Sequence, residues 1–379
     1  MIDVTEKSKC SGCAMCKNLC PVEAIYMKAD EEGFLYPEVE MQKCINCGAC
    51  EKICPILNKK SLNCSLQAYG CINRNDTVRA NSSSGGIFYL LGEYVISQNG
   101  VVFGAKFDDE FRVVHDFAEN IEKMRAFQGS KYLQSDIGDT YKTAKKFLEQ
   151  NRLVLFSGTP CEIEGLRAFL QKDYKNLICQ DIICHGAPSP MIWKKYVEYH
   201  ETKMGTKVEN VNFRCKKYGW SRNALLWLFS NSKAKTIQAY DDLYMRSFSQ
   251  NLTLRPSCYA CSFKGCERSA DITLGDFWGV EHLYPDLFDD QGTSLVIVNS
   301  AKGENILNEI KNKIIFKQVD LEKSISFNSS YSKSVSMPDN RDAFMKEIFV
   351  NSFDKVIKEC CKVSISTKIK RKIKRLLKR

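Results

Sequence analysis

A run of four cysteines closed by a proline occurs twice within the first 55 residues, and nothing else in this 379-residue chain constrains its folding as tightly. Cys10 to Pro21 reads CSGCAMCKNLCP and Cys44 to Pro55 reads CINCGACEKICP, both following Cys-x2-Cys-x2-Cys-x3-Cys-Pro. Three cysteines at that spacing wrap a tight loop round one face of an iron–sulfur cubane, whose last corner needs a ligand from elsewhere. Paired runs supply that ligand reciprocally, the fourth cysteine of each reaching the other cluster. The resulting assignment is Cys10, Cys13, Cys16 and Cys54 for one [4Fe-4S] cluster, and Cys44, Cys47, Cys50 and Cys20 for a second. Pro21 and Pro55 end each short helical turn. Zinc knuckles use two separated pairs of ligands and fit this spacing poorly.

The chain holds 19 cysteines against 4 histidines, which disfavours His-rich zinc or copper sites. Its start, MIDVTEKSKC, lacks the basic-then-apolar pattern of a secretory signal, and no apolar run approaches the ~18 residues of a membrane span. A reducing, cytoplasmic setting is therefore expected, where thiolates bind metal rather than form a disulfide framework. At 44% hydrophobic and 26% charged the composition is globular. The formal charge is +10, but residues 362–379 alone hold nine Lys or Arg and no acid, leaving the body nearly neutral. A nucleic-acid partner, which would want a basic face on the folded domain, is not expected. In the tail, Ile365, Ile369, Ile373, Leu376 and Leu377 form one narrow apolar stripe among basic residues. That pattern suits peripheral contact with an anionic membrane, the alternatives being a solvated tail or a nucleic-acid contact.

The order of segments predicts a small ferredoxin-like 2[4Fe-4S] module over 1–56, a linker over 57–66, a larger mixed α/β body over 67–350 and a basic amphipathic tail over 351–379. LQAYGCI, VVFGAKF, RLVLFSG and NLICQDI read as strands, with helices over GIFYLLGEYVIS and CEIEGLRAFLQ between them. Residues 208–298 look strand-rich, and 302–358 read mainly as helices and Ser-rich loop.

Within the body, Cys161 and Cys184 each follow a predicted strand, and Cys258-x2-Cys261 is a bidentate clip with Cys266 close by. Spacing alone leaves a third cluster, a zinc site and plain buried thiols open. Asn81 to Gly86 (NSSSGG) immediately precede an amphipathic helix. Ser83, Ser84, Gly85 and Gly86 could let a phosphate approach unpaired helix N–H groups, or could form an ordinary cap and turn. Ser130 and Lys131 in QGSKY, and Thr159 beside Cys161, are further candidates; a Lys near a flavin stabilises its reduced anion, whereas a surface Lys does not. No Gly-x-Gly-x-x-Gly follows a strand, so a nicotinamide site of the usual kind is not indicated. His185, Asp276 and Trp278 have structural readings at least as good as functional ones, and no catalytic acid or base is assigned.

SSSGGIFYLL, SKYLQS, GTPCEIEGL, CHGAPS, RPSCYACSFK and ADITLGDFWG occur in that order behind the cysteine repeat. Together they resemble the coenzyme F420 hydrogenase/dehydrogenase beta-subunit family, across roughly residues 5–300. The resemblance implies a flavin-binding body, usually with FAD, beside one further [4Fe-4S] cluster. The family's cluster cysteines carry over onto Cys161, Cys184, Cys258 and Cys261, whereas Cys266 has no counterpart in the hydrogenase subunits. It also implies an oxidoreductase that passes electrons between the clusters and FAD. The substrate expected is a small organic molecule, F420-like or related to polysaccharide precursors, and a ferredoxin or other redox protein is the expected partner. A non-catalytic electron-transfer subunit serving a partner enzyme is the competing reading.

Overall fold

The computed structural model describes residues 1–59 and 66–361. Most of the expected linker, with Cys64, and the basic stripe of the tail lie outside the described residues. The module holds a hairpin of β1 (Ile25–Ala29) and β2 (Leu35–Val39), flanked by the short helices Met15–Leu19 and Ala49–Lys52, one in each cysteine run. Each helix starts from a left-handed residue, Ala14 or Gly48, which turns the chain sharply between ligands.

The body is built on β3 (Gln67–Asn73), β4 (Val101–Phe107), β5 (Val113–Ala118), β6 (Val154–Gly158) and β7 (Leu177–Ile182). To these are added β8 (Val208–Cys215), β9 (Ala224–Phe229), β10 (Ala234–Gln238), β11 (Ile272–Asp276), β12 (Ser294–Val298) and β13 (Ile314–Val319). Eight of them form one mixed sheet in the order β13-β3-β12-β11-β7-β6-β4-β5, whose centre, β4-β6-β7-β11, is parallel. β8, β9 and β10 form a separate antiparallel sheet.

Near-continuous apolar runs such as VLF and LIC arise because both faces of the central strands are covered. Successive side chains alternate between those faces. Val102, Leu155 and Ile178 pack under helices Ile87–Ser97 and Ala301–Glu309. Val101, Phe103, Val154, Phe156 and Leu177 pack under helices Thr140–Glu149 and Pro160–Leu170. The latter core also takes in Ala14 and Met15, with Cys13, Cys16 and Cys54 against its edge, so the module sits on one face of the sheet. The small sheet packs on helix Pro190–Met204 through Trp193, Tyr196 and Trp227.

The stretch 302–358 is mainly helix and loop, with one edge strand, Ile314–Val319, beside β3, whose exposed middle hid the strand pattern. One expectation is corrected. The tail does not begin at 351, because Phe353, Val356, Ile357 and Cys361 are buried in the core around Trp193.

Candidate functional site

In open sheets, sites form beyond the carboxyl ends of parallel strands. Here the chain leaving β6 supplies Thr159 and Cys161, the chain leaving β7 supplies Ile183, Cys184 and His185, and β11 ends at Asp276 just before Trp278. All of these line one cavity of about 750 Å³. Ser82, Ser83, Ser84, Gly86, Ser130 and Lys131 form another wall, and Ser11 and Gly12 of the module a third.

Cys161 is placed by a helix start. Pro160 opens helix Pro160–Leu170 where its missing N–H costs nothing, and the Thr159 amide donates to Glu162 Oε2 at 2.7 Å in a capping box. Thr159 Oγ1 lies 3.2 Å from Cys161 Sγ. Burial first, then Glu162 and the Cys184 and Cys261 sulfurs among its neighbours, push the Cys161 thiol up. Cys184 is pushed up to about 12 by burial, with Cys258 and Cys261 adding to it. Cys161 thus feels the Cys184 and Cys261 sulfurs, Cys184 feels Cys258 and Cys261, and Ala187 N–H donates to Cys258 Sγ at 3.3 Å. Cys266 is disulfide-bonded and is not a free thiolate for this group.

The cysteines of the repeat fall into two groups. Burial first, with the Cys10 and Cys54 sulfurs contributing, pushes Cys13 up to about 12, and Cys16 feels the same partners. Cys20, Cys44, Cys47 and Cys50 surround a second, separate pocket. Amide donors reach these sulfurs too, from Ile2 to Cys50 at 3.2 Å and from Ala24 to Cys20 at 3.3 Å. N–H···S bonds stabilise thiolate charge and tune cluster potentials, so each quartet suits a cubane. Among the described residues no three His, Cys, Asp or Glu side chains converge closely enough for a single ion. A cubane instead keeps its ligands at four separated corners.

At the Ser-Gly wall, helix Ile87–Ser97 starts from Gly86 at φ +80°, with no side-chain cap on its first N–H groups. Gly86, Ile87 and Phe88 line the cavity, which puts this helix start at its wall. Ser83 Oγ and Ser130 Oγ are 2.8 Å apart. Gly85 does not line the cavity; a Cβ there would meet the Cys71 carbonyl at 2.4 Å, so it lets the loop lie on β3. The loop is braced from behind by Lys216 Nζ, which donates to the carbonyls of Arg79 and Ser84 at 2.6 and 2.7 Å. Arg79 in turn makes a bidentate pair with Asp289.

Lys131 Nζ donates to the carbonyls of Ala126 and Gln128 at 2.8 and 2.9 Å, so it ties its own turn together. Burial pushes its ammonium down to about 7. His185 is held between Asn251 Oδ1 at 2.7 Å and Ser330 Oγ at 3.2 Å, and burial lowers its pKa. Asp276 accepts from Arg214 at 2.8 Å and from Trp220 Nε1 at 3.2 Å, while Trp278 stacks on Trp220 at 4.8 Å.

Arg214 is the functional candidate that sequence reasoning missed. It is buried, lines the cavity, donates to the Ser83 carbonyl at 3.2 Å and lies over the Trp278 ring. Burial opposes its charge, but Asp276 and Tyr132 more than offset that and hold it cationic. In the sequence it stands close to Lys216 and Lys217, and nothing local sets it apart from them. His115 was missed as well; its Nδ1 lies 2.7 Å from Ser135 Oγ and its Nε2 3.0 Å from the Ser157 carbonyl, on the same cavity wall.

Residues 151–324 match the family described as coenzyme F420 hydrogenase/dehydrogenase, carboxyl terminus of the beta subunit, and residues 9–57 match the 4Fe-4S dicluster domain. No curated protein matches the chain. A solved chain from the F420-reducing [NiFe] hydrogenase complex of Methanosarcina barkeri, in a xenon-derivatised structure, is similar at 15% identity with a TM-score of 0.47. That similarity covers 79% of this chain and 93% of the other. Among the described residues no helix is long and apolar enough to cross a membrane.

Proposed function

Starting from a chain that joins a 4Fe-4S dicluster domain to the C-terminal domain of the coenzyme F420 hydrogenase/dehydrogenase beta subunit, we propose that it is an iron–sulfur flavoprotein oxidoreductase. One observation carries this reading. Helix Pro160–Leu170 meets the module at Gly165, halfway along, where a Cβ would lie 3.1 Å from Cys13 Sγ, and holds Cys161 in its first turn beside the cavity. Four residues of helix, about 6 Å of rise, separate the two. The inner quartet of the module is thereby adjacent to the quartet of the body.

In this reading Cys161, Cys184, Cys258 and Cys261 hold a third [4Fe-4S] cluster. Ser83, Ser84, Gly86, Ser130 and Thr159 line the site for FAD, with the open helix start and the Arg214 cation suited to its pyrophosphate. A bound flavin supplies the exchange between one-electron and two-electron chemistry. Lys131 shapes the turn rather than contacting the ring, and the rest of the cavity admits a small organic substrate, F420-like or related to polysaccharide precursors.

Anaerobic purification with iron, acid-labile sulfide and flavin counted per chain tests the reading. About twelve irons and one FAD are expected. About eight irons without flavin, even after reconstitution, would overturn it in favour of a non-catalytic electron-transfer subunit.

A further inference from the structure

We propose that the outer face of the module, round Cys47, is the docking face for a small one-electron carrier protein of the ferredoxin type, and that the contact is apolar. The inference rests on the dicluster domain and not on the flavin reading.

The inner quartet lies against the body. Cys13, Cys16 and Cys54 pack on the body core, and the Cys10 carbonyl accepts from the buried Arg255 at 2.8 Å. In the outer quartet Cys20, Cys44 and Cys50 are half-buried and Cys47 is exposed, the one exposed cysteine among the eight of the repeat. Electrons from outside therefore have their shortest route at this end. Around its pocket stand Met1, Val22 and Ile45, with 37%, 36% and 61% of their surface in water, and Met41, 60% exposed, lies on the same loop as Cys44. Single exposed apolar residues are ordinary, but several at the rim of one redox site mark a contact surface.

Charge argues for the kind of contact. Glu40 pairs with Lys43 at 2.7 Å, Glu38 with Lys28 at 2.8 Å, Glu23 with Lys142 at 2.7 Å, and Glu51 with the terminal amine. Four carboxylates round the patch are thus neutralised within the chain, and the exposed Asp3 and Lys52 are of opposite sign, so little net charge remains to steer a partner. Association through such a rim depends on apolar burial and only weakly on salt.

The test uses the anaerobic full-length holoprotein, with bleaching of its iron–sulfur absorbance followed in a stopped-flow instrument. The reductants are a reduced 2[4Fe-4S] ferredoxin and, separately, reduced methyl viologen. Met41→Glu and Ile45→Glu, each with wild-type iron content, should slow reduction by ferredoxin about tenfold or more, a single charge placed at an apolar hot spot. Reduction by viologen should stay within about twofold of wild type, and raising salt from about 0.05 to 0.5 M should change the wild-type ferredoxin rate by no more than about threefold. Val350→Glu, at an exposed apolar residue of the body, should leave both rates unchanged. Because Ile45 neighbours a ligand, Met41→Glu decides the matter if Ile45→Glu fails to load iron. Unaltered ferredoxin rates in Met41→Glu, a steep salt dependence, or a wild-type dimer that Met41→Glu converts to monomer would each overturn the proposal. The last would make a second copy the occupant.

Discussion

The two cysteine runs are almost the same sentence written twice, yet they live in different surroundings. The inner quartet lies against a helix of the body, with Gly165 beside Cys13 and Arg255 on the Cys10 carbonyl. The outer quartet opens to water among Met1, Val22 and Ile45. Spacing sets which cysteines share a cluster; what packs on each run sets whether that cluster faces inward or outward. A repeat that is symmetric as a ligand set is unsymmetric in what packs on it.

The largest expected effect breaks the inward side. Arg255 is fully buried, donates to the carbonyls of Cys10 and Leu35 and to Gln134, and lies 4.1 Å from the Tyr36 ring centre. Arg255→Ala leaves one buried and two half-buried acceptors unpaired and should cost about 3 kcal/mol, read by denaturant unfolding of the iron-loaded protein. Limited proteolysis should then release the module; unchanged unfolding and proteolysis would show that Arg255 does not hold it.

A matched pair of glycine variants sharpens the contrast. A Cβ at Gly165 would meet Tyr141 Oη at 2.8 Å and Cys13 Cβ at 2.9 Å, so Gly165→Leu overpacks the junction at a cost of about 2–3 kcal/mol. Gly48, in the outer run, has φ +72° but only the Lys52 side chain near it, and Gly48→Ala should cost about 1 kcal/mol in backbone strain. Thermal unfolding and iron content compare the two, and equal losses would erase the distinction between inner and outer.

The smallest effect serves as a reference away from both runs. Burial raises Asp242 from 3.8 to about 6, although it caps Met245 N–H and accepts from Tyr196. The folded state therefore binds this proton more tightly than the unfolded chain. That contribution is complete below the unfolded value and is lost as pH rises through about 6. Asp242→Asn keeps Oδ1 as the cap for Met245 N–H, and its Nδ2 donates to Tyr196 Oη in place of the bond the carboxylate accepts there; it should gain about 1 kcal/mol on wild type between pH 5 and pH 7. Parallel stability curves for the two proteins would show that Asp242 does not titrate in this range.

What could be read from the chain beforehand divides along physical lines. The two cysteine quartets were legible because their spacing is local and the geometry of a cubane leaves few alternatives. The central strands were legible because burial on both faces leaves unbroken apolar runs. Ile314–Val319 escaped because an edge strand with an exposed middle carries no such run. Arg214 escaped because its importance comes from Asp276, Trp278 and the Ser83 carbonyl, each distant in sequence. The same holds for Arg255 and for Arg341, which makes a bidentate pair with Glu32 of the module. Contacts of that separation leave no periodic trace.

Ser11 and Gly12 belong to the first cysteine run, yet they line the large cavity of the body. The wiring is therefore also masonry: a body cut free of its first 59 residues would have a groove where the whole chain has a walled chamber.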